Sequence, residues 1–122
     1  MTHIKLNIKP MPSPRPRVGS RGTYMPSAYT EHKEYVKLLC RAFKHYGTQS
    51  LIVELIFTFK RPKRLSKNKY SMPVGDLDNL EKTYLDALEG IVYEDDRQIV
   101  EKHSKKQYGD EDSVEITLKP VV

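Results

Sequence analysis

One cysteine, Cys40, is all the thiol in these 122 residues. That excludes an intrachain disulfide and an all-cysteine zinc site. Beside Leu39 and Phe43 in a helical pattern, Cys40 reads as a buried structural thiol. Histidine adds no metal chemistry: His32 and His45 share a helix with no second ligand at metal spacing, and read as solvent-facing or core-edge residues. Long apolar runs are missing as well, and none approaches the ~20 residues a transmembrane helix needs. The N-terminal residues alternate instead of forming the apolar heart of a signal peptide. The expected location is therefore the cytoplasm, with no membrane partner. No internal repeat and no linker interrupts the chain, so residues 1–122 read as one domain.

What the chain has in excess is positive charge. The net charge of +5 and a pI near 9.3 suit a polyanionic partner. Two stretches concentrate it. Pro12 to Arg17 holds three prolines with Arg15 and Arg17, cannot be helical, and with Gly19, Arg21 and Gly22 reads as a mobile basic loop near 11–23. Lys60 to Lys69 carries six cations (Lys60, Arg61, Lys63, Arg64, Lys67 and Lys69) and no acid. It reads as a second mobile basic arm, near 60–75.

Between these arms the periodicity switches repeatedly. His3 to Lys9 alternates polar and apolar, as a half-buried strand does. Glu31 to Tyr46 places Tyr35, Leu38, Leu39, Ala42, Phe43 and Tyr46 at helical spacing, with Thr30 able to cap it and Gly47 as its stop. Leu51 to Phe59 is β-branched and aromatic, a strand expected near the sheet centre. Arg97 to Gln107, with Lys102, Lys105 and Lys106, and Ser113 to Pro120 read as two further strands. The expected fold is α+β: a small mixed sheet carrying two helices, in the order β-α-β-α-β-β, closed by an antiparallel C-terminal hairpin.

The stretch from Gly75 to Gln98 organises all of this. Asp76 and Asp78 stand two apart, so an extended backbone there puts both carboxylates on one side. Leu77, Leu80, Tyr84, Leu88 and Ile91 follow at spacings of three and four, an amphipathic helix that Gly90 stops. A second acidic group, Glu94, Asp95 and Asp96, comes next, and the chain must fold back if the two groups are to meet. Clustered carboxylates repel unless a divalent cation neutralises them, and oxygen ligands suit Mg²⁺. Lys82, read as lying in the first turn, stands at the wrong end of the helix dipole unless an anion docks there. Each half also has a structural reading. Asp78 with Glu81 fits a capping box, and Asp95-Asp96 fits a turn.

These same residues resemble the RusA family of Holliday-junction resolvases, small phage-type endodeoxyribonucleases. The match reads Asp76-Leu77-Asp78-Asn79-Leu80-Glu81-Lys82, then Asp86-Ala87-Leu88, then Asp95-Asp96-Arg97-Gln98-Ile99. Pro12 to Arg17 and Tyr24 to Thr30 look like the early segment of many members. Gly75 stands where some members carry a basic residue.

The resemblance implies Mg²⁺-dependent incision of branched DNA by a homodimer, in recombination and repair. Asp76, Asp78 and Asp96 would be catalytic metal ligands and Lys82 the motif lysine; Asp95 offers a fourth ligand, and Mn²⁺ an alternative ion. No small-molecule cofactor is expected. Phosphate contacts are expected from Arg15, Arg17, Arg21, Lys60, Arg61, Lys63, Arg64, Lys67, Lys69, Lys82 and Lys106. A non-catalytic nucleic-acid-binding accessory protein and a flap or fork nuclease are the alternatives.

Overall fold

A computed structural model describes residues 1–15, 17–19, 22–63, 73 and 75–121. The strands are β1 (Thr2–Leu6), β2 (Arg17–Gly19), β3 (Gly22–Tyr24), β4 (Leu51–Lys60), β5 (Ile99–Gly109) and β6 (Ser113–Pro120). The helices are α1 (Ser27–Cys40) and α2 (Leu77–Leu88), and a 3₁₀ turn over Asp96–Gln98 leads into β5. The fold is α+β, with a four-stranded mixed sheet in the order β1-β6-β4-β5.

β4 is central because one of its faces is wholly apolar. Leu51, Val53, Leu55, Phe57 and Phe59 are all buried, and they meet Val114, Ile116 and Leu118 across β6. α2 lays Leu80, Tyr84 and Leu88 on that face, and α1 packs against α2 through Val36 and Cys40. Burial pushes the Cys40 thiol up to about 11, so it is an inert core residue. His32 lies at the core edge, its Nε2 2.8 Å from the Tyr84 hydroxyl, and burial lowers its pKa.

Three expectations are corrected here. The C-terminal strands do not form a hairpin: β6 is inserted between β1 and β4, while β5 crosses to the far edge and runs parallel to β4. The side chains explain this exchange. β6 offers Val114, Ile116 and Leu118 for an interior place, whereas the matching positions of β5 are Lys102, Ser104 and Lys106, which only an edge tolerates.

α1 begins four residues before Glu31 and ends six before Tyr46, with Pro26 and not Thr30 at its cap. It buries Tyr29, Val36 and Cys40, leaving Tyr35 and Leu38 exposed. The apolar residues occupy two faces of this helix, and the expected face is the one turned to solvent. Third, residues 17–19 and 22–24 pair as an antiparallel ribbon within the stretch read as a loop.

Candidate active site

The backbone leading into α2 is held from three sides. Gly75 sits at φ +101°, a left-handed conformation that suits glycine, and a Cβ there would lie 3.4 Å from Pro12. The Ser13 amide donates to the Asn79 carbonyl at 2.9 Å. From β5, the Lys106 ammonium donates to the Gly75 carbonyl at 2.7 Å and the Pro73 carbonyl at 3.2 Å. Asp76 then takes the extended N-cap position (φ −78°, ψ 144°), and Asp78 is the second helical residue. Neither carboxylate caps the helix, since no side-chain capping bond forms.

The capping box read from Asp78 and Glu81 is therefore absent. Glu81 turns inward, where it is only 6% exposed, accepts a 2.6 Å bond from the Ser104 hydroxyl and lies 3.6 Å from the Lys102 ammonium. A second correction concerns Lys82. With Leu77 as the first helical residue, Lys82 is the sixth, in the second turn. Dipole effects fade within the first turn, so they do not explain this lysine. Its neighbours do: one helical turn to either side stand Asp78 and Asp86, all three on the wall of an open depression of about 540 Å³ between α2 and the start of β5. Lys82 makes no ion pair among the described residues.

The second acidic group is built by its own hydrogen bonds. Asp95 caps the 3₁₀ turn, accepting from the Arg97 amide at 2.9 Å and from its guanidinium at 3.0 Å. These Arg97 bonds, the side-chain ones first, hold the Asp95 carboxyl down to about 2. Gln98 completes the turn, accepting from the Glu94 and Asp95 amides and donating to the Gly47 and Gln49 carbonyls. The turn reading of Asp95-Asp96 is thus correct for the backbone, and it leaves Asp96 exposed on the depression.

Glu89, Asp95 and Asp96 bring their carboxylate oxygens within 4.8 Å of one another. This hard-oxygen donor set fits Mg²⁺ or Mn²⁺. Among the described residues, Asp76 and Asp78 do not belong to that group. Asp96 stands beside the C-terminal end of α2, its carboxylate within 4.8 Å of that of Glu89, the helix C-cap. Asp78, near the start of the same helix, lies roughly 16 Å from Glu89 along the axis. Among the described residues Asp76, Asp78 and Asp96 do not gather into one group of carboxylates: Asp78 and Asp96 line one depression, the first from the start of α2 and the second from beside its C-cap.

The family model for endodeoxyribonuclease RusA matches residues 7–119. The chain belongs to the RusA family. No curated protein matches it. The RusA match covers both acidic groups, Lys82 and both basic stretches, and it identifies the chain as a member of an endodeoxyribonuclease family.

On this RusA chain Arg15, Lys60, Lys63 and Lys82 are exposed, and Arg61 is half-buried with its amide on the Gly109 carbonyl. Lys106 already uses two of its three donors on backbone carbonyls. Arg21, Arg64, Lys67, Lys69 and the Arg17 side chain lie outside the described residues. Among the described residues, no helix is long and apolar enough to cross a membrane.

Asp86, Glu101 and Lys102 on the depression, and Glu89 beside Asp95 and Asp96, were not among the candidate site residues. Asp86 was legible, because Asp78, Lys82 and Asp86 repeat at every fourth position. Glu89 was not. Its place beside Asp95 depends on the reversal at Gly90 (φ +83°) and the bridge between Glu89 and Tyr93.

Proposed function

We propose that this protein is a Mg²⁺-dependent endonuclease that resolves four-way DNA junctions by paired nicks, in recombination and repair, as a single-domain homodimer in the cytoplasm. The observation that carries the proposal is the division of the RusA carboxylates between the two ends of one groove, with Lys82 between them. Asp76 and Asp78 supply one half of a metal site; Asp96, with Asp95 and Glu89, supplies the other. Bound there, Mg²⁺ or Mn²⁺ supplies Lewis acidity at the scissile phosphate and an activated water.

The chain's own residues do the rest. Lys82 neutralises charge building on the phosphoryl oxygens. The exposed cations Arg15, Lys60, Lys63 and their neighbours hold flanking phosphates, giving salt-dependent affinity with little base reading.

A homodimer completes the groove. β5 is eleven residues long and is the terminal strand of the sheet, with β4 on its inner side. A long edge strand is a template for another strand. Two β5 edges joined antiparallel about a two-fold axis form a self-complementary interface. They reverse direction, so the start of the partner's β5, where Asp96 stands, comes towards the Asp76 end of this chain's groove. β4 is paired on both edges and the apolar face of α2 is buried in the core, which leaves β5 the better candidate for this contact.

The deciding experiment incubates a synthetic four-way junction with and without Mg²⁺, beside linear duplex, flap and fork. The expected outcome is symmetric nicking of the junction with Mg²⁺ only. Preferential flap or fork cleavage would move the substrate. Tight binding without cleavage in either metal would make this a nucleic-acid-binding accessory protein.

Lys82→Ala tests the lysine. Cleavage under saturating conditions is expected to fall on the order of 100-fold, as when a transition-state donor is lost. Junction affinity should fall less than about threefold, because many other cations remain. An equal loss of binding and rate would make Lys82 a ground-state anchor.

A further inference from the structure

We infer that Lys106 is a positioning residue for the Asp76–Asp78 carboxylate pair and not a DNA contact. This rests on the metal-dependent nuclease reading for its consequence, though not for its geometry. Lys106 projects from β5 on the side that faces α2, opposite Phe57 of β4, and its side chain is half-buried. Its ammonium donates to the carbonyls of Gly75, at 2.7 Å, and Pro73, at 3.2 Å. Gly75 immediately precedes Asp76, and Pro73 stands two residues before Gly75.

Such a contact is well suited to fixing where two carboxylates stand. Gly75, in its left-handed conformation, has a wide choice of backbone angles. A charged donor shared by the Pro73 and Gly75 carbonyls limits that freedom where the chain turns into α2. Charge-assisted bonds are about twice as strong as neutral ones. Contacts that orient metal ligands without touching the ion commonly change metal affinity 10- to 100-fold when removed. The strand also ties the two ends of the site together, since β5 begins just after Asp96 and carries Lys106 at its other end. A shift of β5 therefore moves the hold on Asp76.

The test compares Lys106→Met, which keeps the aliphatic stem and loses the donors, with Lys106→Arg, which keeps charge and donors. Amide hydrogen exchange of the protein, without metal or DNA, reads the geometry directly. Lys106→Met should speed exchange at Asp76 to Leu80 at least tenfold, while amides of Leu85 to Leu88 keep their wild-type rates. The Mn²⁺ concentration that half-saturates the protein, followed by loss of the free-ion electron paramagnetic resonance signal, should rise about tenfold. Cleavage should recover towards the wild-type rate at high Mn²⁺, and Lys106→Arg should lie nearer wild type in all three measurements.

The salt dependence of junction binding should keep its wild-type slope, because no phosphate contact is lost. A slope lowered by about one unit with unchanged exchange and unchanged Mn²⁺ half-saturation would make Lys106 a phosphate ligand and overturn the inference. Uniformly faster exchange across both helices would reduce it to general stability, and would also overturn it. If Lys106→Met does not fold, Lys106→Leu, which also loses every donor, carries the same comparison. A wild-type protein that neither binds Mn²⁺ nor cuts DNA would refute the nuclease reading, while the exchange contrast would still decide the role of Lys106.

Discussion

Asp78→Asn is expected to give a folded dimer that binds a four-way junction as tightly as the parent and no longer cuts it. The side chain is exposed, and no capping bond depends on it. Stability should therefore change by no more than about 0.5 kcal/mol, the usual range for surface positions free of special contacts. Asparagine keeps the volume and one oxygen but removes the charge that a hard divalent cation needs. Cleavage should fall on the order of 10³-fold or more, which is about 4 kcal/mol of transition-state stabilisation. Binding should hold, or tighten slightly as one repulsive charge leaves the DNA face. Gel-based cleavage and junction-binding titrations, run beside thermal unfolding, separate these effects. Retained cleavage would remove Asp78 from the metal site. Loss of the fold would give it a structural duty that its surroundings do not suggest.

How far the sequence could be read follows from which residues had only one place to go. The buried alternation of β4 and the i, i+3, i+4 pattern of α2 were legible, since each element has a single apolar face. α1 was not, because Tyr35, Leu38 and Leu39 make a second apolar stripe that periodicity cannot tell from Tyr29, Val36 and Cys40. The exchange of β5 and β6 was missed for a different reason. Adjacent strands with a short turn favour a hairpin, and here the competition for the place beside β4 was settled by side chains, Ile116 and Leu118 against Ser104 and Lys102. For the site, the acidic residues could be named but their grouping could not. The length of α2 separates Asp78 from Asp96, and Glu89 reaches Asp95 and Asp96 through the reversal at Gly90, a pairing that side-chain periodicity does not encode.

That grouping leads to the sharpest test of assembly. Mixing Asp78→Asn with Asp96→Asn subunits should restore cleavage that neither variant shows alone. α2 has twelve residues and spans roughly 18 Å, with Asp76 and Asp78 at its start and Asp96 beside Glu89 at its C-cap. If each site combines the first pair from one subunit with Asp96 from the other, the mixed dimer contains one site with both defects and one with none. The intact site should nick one strand of the junction, so a supercoiled cruciform plasmid should accumulate as a nicked circle and not as a linear product. If instead each site is built within one chain, every site in the mixed dimer carries one defect and no cleavage returns. The wild-type protein should sediment at twice the 14.2 kDa of the chain. A dimer of one wild-type and one Asp78→Asn subunit should likewise stop after a single nick under either arrangement, which controls for subunit exchange. A monomer that makes paired cuts would refute the dimer. A dimer whose two variants fail to complement, while that control still nicks, would return the site to a single chain and require α2 and the Asp96 turn to close on each other when DNA binds.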